Sequence, residues 1–158
     1  MARVVISRCL GLDACRYNGE MIEASWIVEL VQKAEVISIC PEMDIGLGVP
    51  RLPINLIECN KGLKVVQKET GTDLTEELLS FSQGYLRFLK RPDAFVLKSR
   101  SPSCGLGTTK IYTNDSYNLG SGIFASLARE FFPEAVFVDE FFIEENGVED
   151  LLRLIKQS

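Results

Sequence analysis

The stretch Phe95-Val96-Leu97-Lys98-Ser99-Arg100-Ser101-Pro102-Ser103-Cys104-Gly105 decides how this chain is read. It opens as a short apolar run without alternation, the pattern of a strand covered on both faces. It then passes directly into a polar segment that ends on Cys104. Three further runs have the same character: Val4-Val5-Ile6, Val36-Ile37-Ser38-Ile39 and Val136-Phe137-Val138. Helical periods lie between them. Ile22, Trp26, Ile27, Leu30 and Val31 fall on one stripe that ends near Ala34, with Trp26 as core. Asp73, with Glu76 three residues on, starts a second helix whose inner face is Leu74, Leu78, Phe81, Tyr85, Leu86 and Leu89, closed by Pro92. Ser121 or Gly122 opens a third, with Phe124, Leu127, Ala128 and Phe131 inside and Pro133 as its stop. A last helix runs from about Val148 to Gln157. Leu63 to Val66 and Lys110 to Tyr112 read as short extra strands.

Strands alternating with helices imply an α/β fold: three layers around a mainly parallel sheet of about four strands, Rossmann- or flavodoxin-like, with long loops at the carboxyl edge. One domain is expected over residues 1–158. The stretches without helical period, 8–20, 41–60 and 98–120, each follow the end of a strand. Open α/β sheets bind ligands at that edge, and loops this long are more often functional than idle.

Composition narrows the chemistry. The 158 residues carry a net charge of −5 and contain five cysteines and no histidine. Without imidazole there is no Ser-His or Cys-His pair and no histidine metal ligand. A pI near 4.9 argues against nucleic acid as a partner and suits a small molecule. No apolar run approaches a bilayer span and no secretory signal is present, so neither a membrane nor export is expected. A cytoplasmic protein keeps its thiols reduced, which points the cysteines toward metal ligation or catalysis.

Three of the cysteines are placed alike. Cys9 follows the first strand, Cys40 follows the second directly, and Cys104 lies in the loop after the third. With strand order 2-1-3-4 these loops are neighbours, and three thiols distant in sequence meet at one edge. Cys15 either closes that site as a fourth ligand or packs its loop; Cys59 is isolated and read as structural. There is no C-x-x-C pair, and neither Gly46-Leu47-Gly48 nor Gly105-Leu106-Gly107 reads as a dinucleotide or phosphate loop. Pattern alone leaves a metal site and scattered buried thiols as alternatives.

Ser7-Arg8-Cys9-Leu10-Gly11, Cys15-Arg16-Tyr17-Asn18-Gly19, Cys40-Pro41-Glu42, Gly46-Leu47-Gly48-Val49-Pro50-Arg51 and the Lys98 to Gly105 segment resemble, in order, the motifs of the DUF523 family, which includes thiouracil desulfidases. The resemblance covers about residues 3–139, and the residues after about 140 read as an added C-terminal helix. It implies a [4Fe-4S] cluster on Cys9, Cys40 and Cys104 and a non-redox reaction that removes sulfur as hydrosulfide from a thiolated pyrimidine. The alternative is a non-catalytic zinc or closed iron–sulfur module with Cys15 as fourth ligand.

Desulfidation needs a Lewis acid for sulfur, an activated water and a proton donor. With no histidine, Glu42 is the expected general base or acid. Ser101 is expected to relay a proton or orient the water, with Ser103 as a second hydroxyl at the substrate. Lys98 and Arg51 are expected to bind substrate or balance charge, with Arg100 nearby. Tyr17 and Tyr112 are candidates to stack on a pyrimidine.

Overall fold

The computed structural model describes residues 1–157. In chain order its elements are β1 (Arg3–Ser7), α1 (Ile27–Lys33), β2 (Glu35–Ile39), α2 (Pro41–Asp44), β3 (Ile54–Cys59), β4 (Gly62–Gln67) and α3 (Thr75–Phe88). They continue with β5 (Ala94–Leu97), β6 (Thr109–Thr113), β7 (Ser116–Gly120), α4 (Ile123–Phe131), β8 (Val136–Asp139) and α5 (Glu140–Gln157).

The four apolar runs form one parallel sheet in the order β2-β1-β5-β8. Val4 pairs with Val36 on one side and Ala94 on the other, and Phe95 pairs with Phe137. All four residues of β5 are buried, as a strand between two helical layers must be. Val4, Ile6, Ala94 and Val96 face Leu30 of α1 and Ile143 and Leu151 of α5. Val5, Phe95 and Leu97 face the opposite side, against Leu86 of α3 and Phe124, Ala125 and Ala128 of α4. The Phe95 ring stacks on Phe137 and meets Phe124 edge-on.

A second sheet, β4-β3-β6-β7, contains the two short strands expected at Leu63–Val66 and Lys110–Tyr112, as β4 and β6, and adds β3 and β7 from stretches that read as loop. Two hairpins, β3–β4 and β6–β7, are joined by parallel pairing of Leu56 with Ile111. Its Ile54, Leu56 and Val65 pack on Leu74, Leu78 and Ile123, with Leu127 reaching the same cluster, so α3 and α4 lie between the two sheets. This layer pins the long segments after β2 and β5 beside the edge of the parallel sheet.

Two helix boundaries differ from the periodic reading. The first helix starts at Ile27, because Ile22 instead bridges Leu10 and its N–H bonds the Cys9 carbonyl at 2.8 Å. Val31 is exposed and outside the inner face, as is Phe131 on α4; Trp26 is half-buried against the core. The last helix starts at Glu140, where the Asp139 carboxylate accepts the N–H groups of Phe141 and Phe142 and so caps it; a positive φ at Gly147 interrupts it. Among the described residues no helix is long and apolar enough to cross a membrane.

Candidate active site: a thiol pocket at the sheet edge

Beyond the carboxyl ends of β1, β2 and β5 lies a cavity of about 330 Å³. Cys9, Cys15, Cys40 and Cys104 all line it, together with Glu42, Arg51, Lys98, Ser101 and Ser103. The strand order thus brings together the expected thiols, carboxylate, hydroxyls and cations. Tyr17 also lines it, half-exposed, whereas Tyr112 lies on the second sheet against Tyr117. Cys59 is elsewhere, its thiol on the Gly62 carbonyl.

Each loop has a local reason for its shape. After β1, the Arg8 N–H bonds the Ile39 carbonyl, and the Arg8 guanidinium pairs with Asp44 at 3.3 Å, tying the Cys9 loop to α2. Cys40 ends β2 and Pro41 opens α2, where its missing N–H costs nothing. That short helix turns Glu42 inward, leaving the residue 8% exposed.

The Cys104 loop is folded around Ser101. The Ser101 hydroxyl accepts the N–H groups of Ser103 and Cys104 at 3.2 and 3.0 Å, and its carbonyl accepts the Gly105 N–H and the Thr109 hydroxyl. Carbonyls of Pro102 and Ser103 in turn accept the Ile123 and Ala125 N–H groups, satisfying donors at the start of α4 that would otherwise be orphaned. The approach is close enough that only glycine fits at Gly122, where a Cβ would stand 2.4 Å from the Ser103 carbonyl carbon.

The polar groups form a directional chain. Because both acceptor sites of the Ser101 oxygen are taken by N–H groups, its proton turns to Ser103 Oγ, 3.1 Å away. Ser103 then donates to Glu42 Oε2 at 3.4 Å or to Cys104 Sγ at 3.7 Å, the two acceptors within its reach. Glu42 Oε1 is held by Arg51 Nε at 3.2 Å, in a pair whose side chains are 11% and 4% exposed. Arg51 also donates to the Gly48 carbonyl at 3.0 Å. Of the two serines, Ser103 touches the carboxylate and Ser101 stands behind it.

Lys98 is used differently from a free surface cation. Its ammonium meets the Ser99 carbonyl at 2.8 Å, Ser99 Oγ at 3.2 Å and Glu140 Oε2 at 3.1 Å, which engages all three donors. It brings charge to the pocket wall rather than an unoccupied N–H.

The thiols are mutually coupled. Burial pushes the Cys104 thiol up to about 12, against hydrogen bonds from Ser7 and Ser103 that favour the thiolate. For Cys15, a bond from Cys40 favours the thiolate, but bonding to Cys9 and burial outweigh it and raise the thiol to about 11. Cys40 is raised as well, by its bond to Cys15 and then by burial. Ser7, at the last position of β1 beside Cys104, was given no role by sequence reasoning, although it opens the Ser7-Arg8-Cys9-Leu10-Gly11 motif.

Among the described residues, no group of three or more Cys, Asp or Glu stands arranged to hold a metal ion. The donor set is nevertheless all sulfur, from three separate loops, and lines one cavity of about 330 Å³. An iron–sulfur cluster asks for sulfur ligands from several sides, and a structural zinc ion for four donors on one point. The residues present fit the former.

An α/β domain with thiols on three sheet-edge loops around a carboxylate and two hydroxyls defines a class of sulfur-ligand site at the position where such sheets bind small molecules. The chain belongs to the 2-thiouracil desulfurase family, whose model matches residues 4–140. Among solved structures it is similar to a [4Fe-4S]-dependent thiouracil desulfidase, TudS (DUF523Vcz), with a TM-score of 0.72, 26% identity, and coverage of 96% of this chain and 99% of that one. Among curated proteins it is 30% identical over 157 residues to the uncharacterized protein YbbK of Bacillus subtilis (strain 168), covering 94% of this chain and 99% of that protein.

Proposed function

We propose that this protein is an iron–sulfur-dependent, non-redox desulfidase that removes sulfur as hydrosulfide from a thiolated pyrimidine such as thiouracil, or from a related thioamide. The observation that carries the reading is the Ser101–Ser103–Glu42–Arg51 chain ending beside Cys104 in a pocket lined by four thiols. The dependence of the TudS structure on a [4Fe-4S] cluster supports it.

Cys9, Cys40 and Cys104 are the residues that would hold the cluster. When bound, it supplies a Lewis acid for the thiocarbonyl sulfur. The remaining work falls to the chain. Overall, a C=S carbon gains the oxygen of water and the sulfur leaves with the two protons of that water as H₂S, or as HS⁻ with the second proton released to solvent. Glu42 accepts a proton from the attacking water, because it is the carboxylate of the pocket and Arg51 fixes its orientation. Ser103 passes a proton toward the sulfur side, since its hydroxyl reaches both Glu42 and Cys104 Sγ. Ser101 keeps that hydroxyl supplied and the loop rigid. Arg51 and Lys98 bring positive charge to the polar edge of the base, and Tyr17 offers its ring at the mouth.

The test is hydrosulfide release from 2-thiouracil by anaerobically reconstituted protein. Glu42→Ala is expected to retain the cluster absorbance and lose release by about 10²–10⁴-fold. Unchanged release would remove Glu42 from the mechanism.

A second reading has one observation in its favour: Cys15 lines the same cavity as the other three thiols, and the Cys40 thiol reaches its carbonyl at 3.8 Å. If Cys15 completed a four-thiolate set, the site would be closed and the protein a non-catalytic metal-binding module. Cys15→Ser separates the two. Iron retained in this variant supports the open site; iron lost supports the closed one.

A further inference from the structure

Glu140 is a carboxylate that the proposed chemistry does not use, yet it is 3% exposed. A buried carboxylate persists where its partners are good. Here Oε1 accepts the Ser99 N–H at 2.7 Å, and Oε2 accepts the Ser99 hydroxyl at 2.9 Å and the Lys98 ammonium at 3.1 Å. Those two residues open the loop that carries Ser101, Ser103 and Cys104. The Lys98 N–H bonds Ser7 Oγ at 2.9 Å, and Ser7 faces the Cys104 thiol, so the strut continues to the pocket. At its other end Glu140 is the first residue of α5, anchored by the Asp139 cap and by Ile143, which packs into the core. Without Glu140, the Lys98 ammonium would keep only Ser99, and Ser99 would lose both of its bonds to α5.

We propose that Glu140 is a positioning residue for the pocket: through Ser99 and Lys98 it fixes the start of the Cys104 loop and the place of the Lys98 charge from the N-terminus of α5. The role deepens the desulfidase reading in one respect, since it makes α5 part of substrate binding, and stands apart from it in another, since the strut exists with or without turnover.

The experiment is a cycle of Glu140→Gln, Lys98→Met and the double variant, read in two ways. In hydrogen exchange, Glu140→Gln is expected to speed the amides of Ser99, Cys104 and Gly105 at least tenfold while those of β1 and β5 keep their wild-type rates. In kinetics with 2-thiouracil, KM is expected to rise about tenfold with kcat changed less than threefold. In loop exchange the double variant is expected to match Glu140→Gln, because Lys98 acts on the loop through the same carboxylate. Uniformly faster exchange across the sheet, or additive effects in the double variant, would overturn the proposal. Should Glu140→Gln fail to fold, Glu140→Asp, which reaches Ser99 or Lys98 but not both, is expected to give an intermediate acceleration confined to the loop; wild-type rates there would overturn it. Absence of hydrosulfide release from the wild-type protein would sink the desulfidase reading and leave the exchange result to decide the strut.

Discussion

Replacing Gly122 by alanine probes the close packing of the Cys104 loop on α4. Gly122 has φ −65° and ψ 164°, a conformation alanine adopts freely. On backbone entropy alone Gly122→Ala would stabilise the fold by about 0.4–1 kcal/mol. The added Cβ, however, would stand 2.4 Å from the Ser103 carbonyl carbon, 2.6 Å from its oxygen and 2.8 Å from the Cys104 nitrogen, all backbone atoms. Relieving this requires the loop to move by about 1 Å, a displacement of the kind that costs roughly 1–3 kcal/mol in a packed interior. The steric term wins, and a net loss of about 1–2 kcal/mol, or roughly 2–8 °C in Tm, is expected by thermal unfolding. Gly84 is the control. It lies inside α3 with nothing within 4 Å of its built Cβ, so Gly84→Ala is expected to raise stability by about 0.5–1 kcal/mol. Because Cys104 moves with the loop, Gly122→Ala is also expected to take up less iron on anaerobic reconstitution. A Gly122→Ala protein as stable as, or more stable than, wild type and fully loaded would refute the reasoning.

Arg51→Met leaves the buried Glu42 carboxylate without its partner, and denaturant unfolding is expected to show a loss of about 3 kcal/mol; a loss under 1 kcal/mol would mean that Glu42 finds water instead. Away from the site, bonds from the Thr75 hydroxyl and N–H hold the Asp73 carboxyl below its ordinary value of 3.8. A lowered folded-state value stabilises above the ordinary one and is lost as pH falls through the lowered one. Asp73→Asn is therefore expected to lower Tm near neutral pH and to converge on wild type in acid.

The parallel sheet was legible because its strands are continuous apolar runs, and its order brought Cys9, Cys40 and Cys104 to one edge before any coordinates. Of the second sheet, β4 and β6 were legible as short strands, and β3 and β7 were not. In β3, Ile54 and Leu56 are buried while Glu58 is exposed, an alternation too short to stand out between Pro53 and Cys59. The hairpin turns at Asn60-Lys61 and Asn114-Asp115 were the available signal, and Asn114 does adopt a positive φ. Glu42 was found by proximity to Cys40, but its pairing with Arg51 depends on how the chain returns toward α2, which no spacing encodes. Glu140 was invisible for the same reason: its partners lie 41 residues away in the chain. The relative standing of Ser101 and Ser103 also needed coordinates, because both sit in one tight turn and only the direction of their hydroxyls separates them.

The central claim is a sulfur-ligated iron cluster on three loops with one position open to substrate. It is tested most directly by iron, zinc and acid-labile sulfide analysis of anaerobically prepared wild-type, Cys9→Ser, Cys40→Ser, Cys104→Ser and Cys15→Ser proteins. About four irons and four sulfides per chain are expected in the wild type. The Cys15→Ser protein is expected to keep them and the other three to lose them. Stoichiometric zinc without iron in the wild type, or loss of iron on replacing Cys15, would contradict the account.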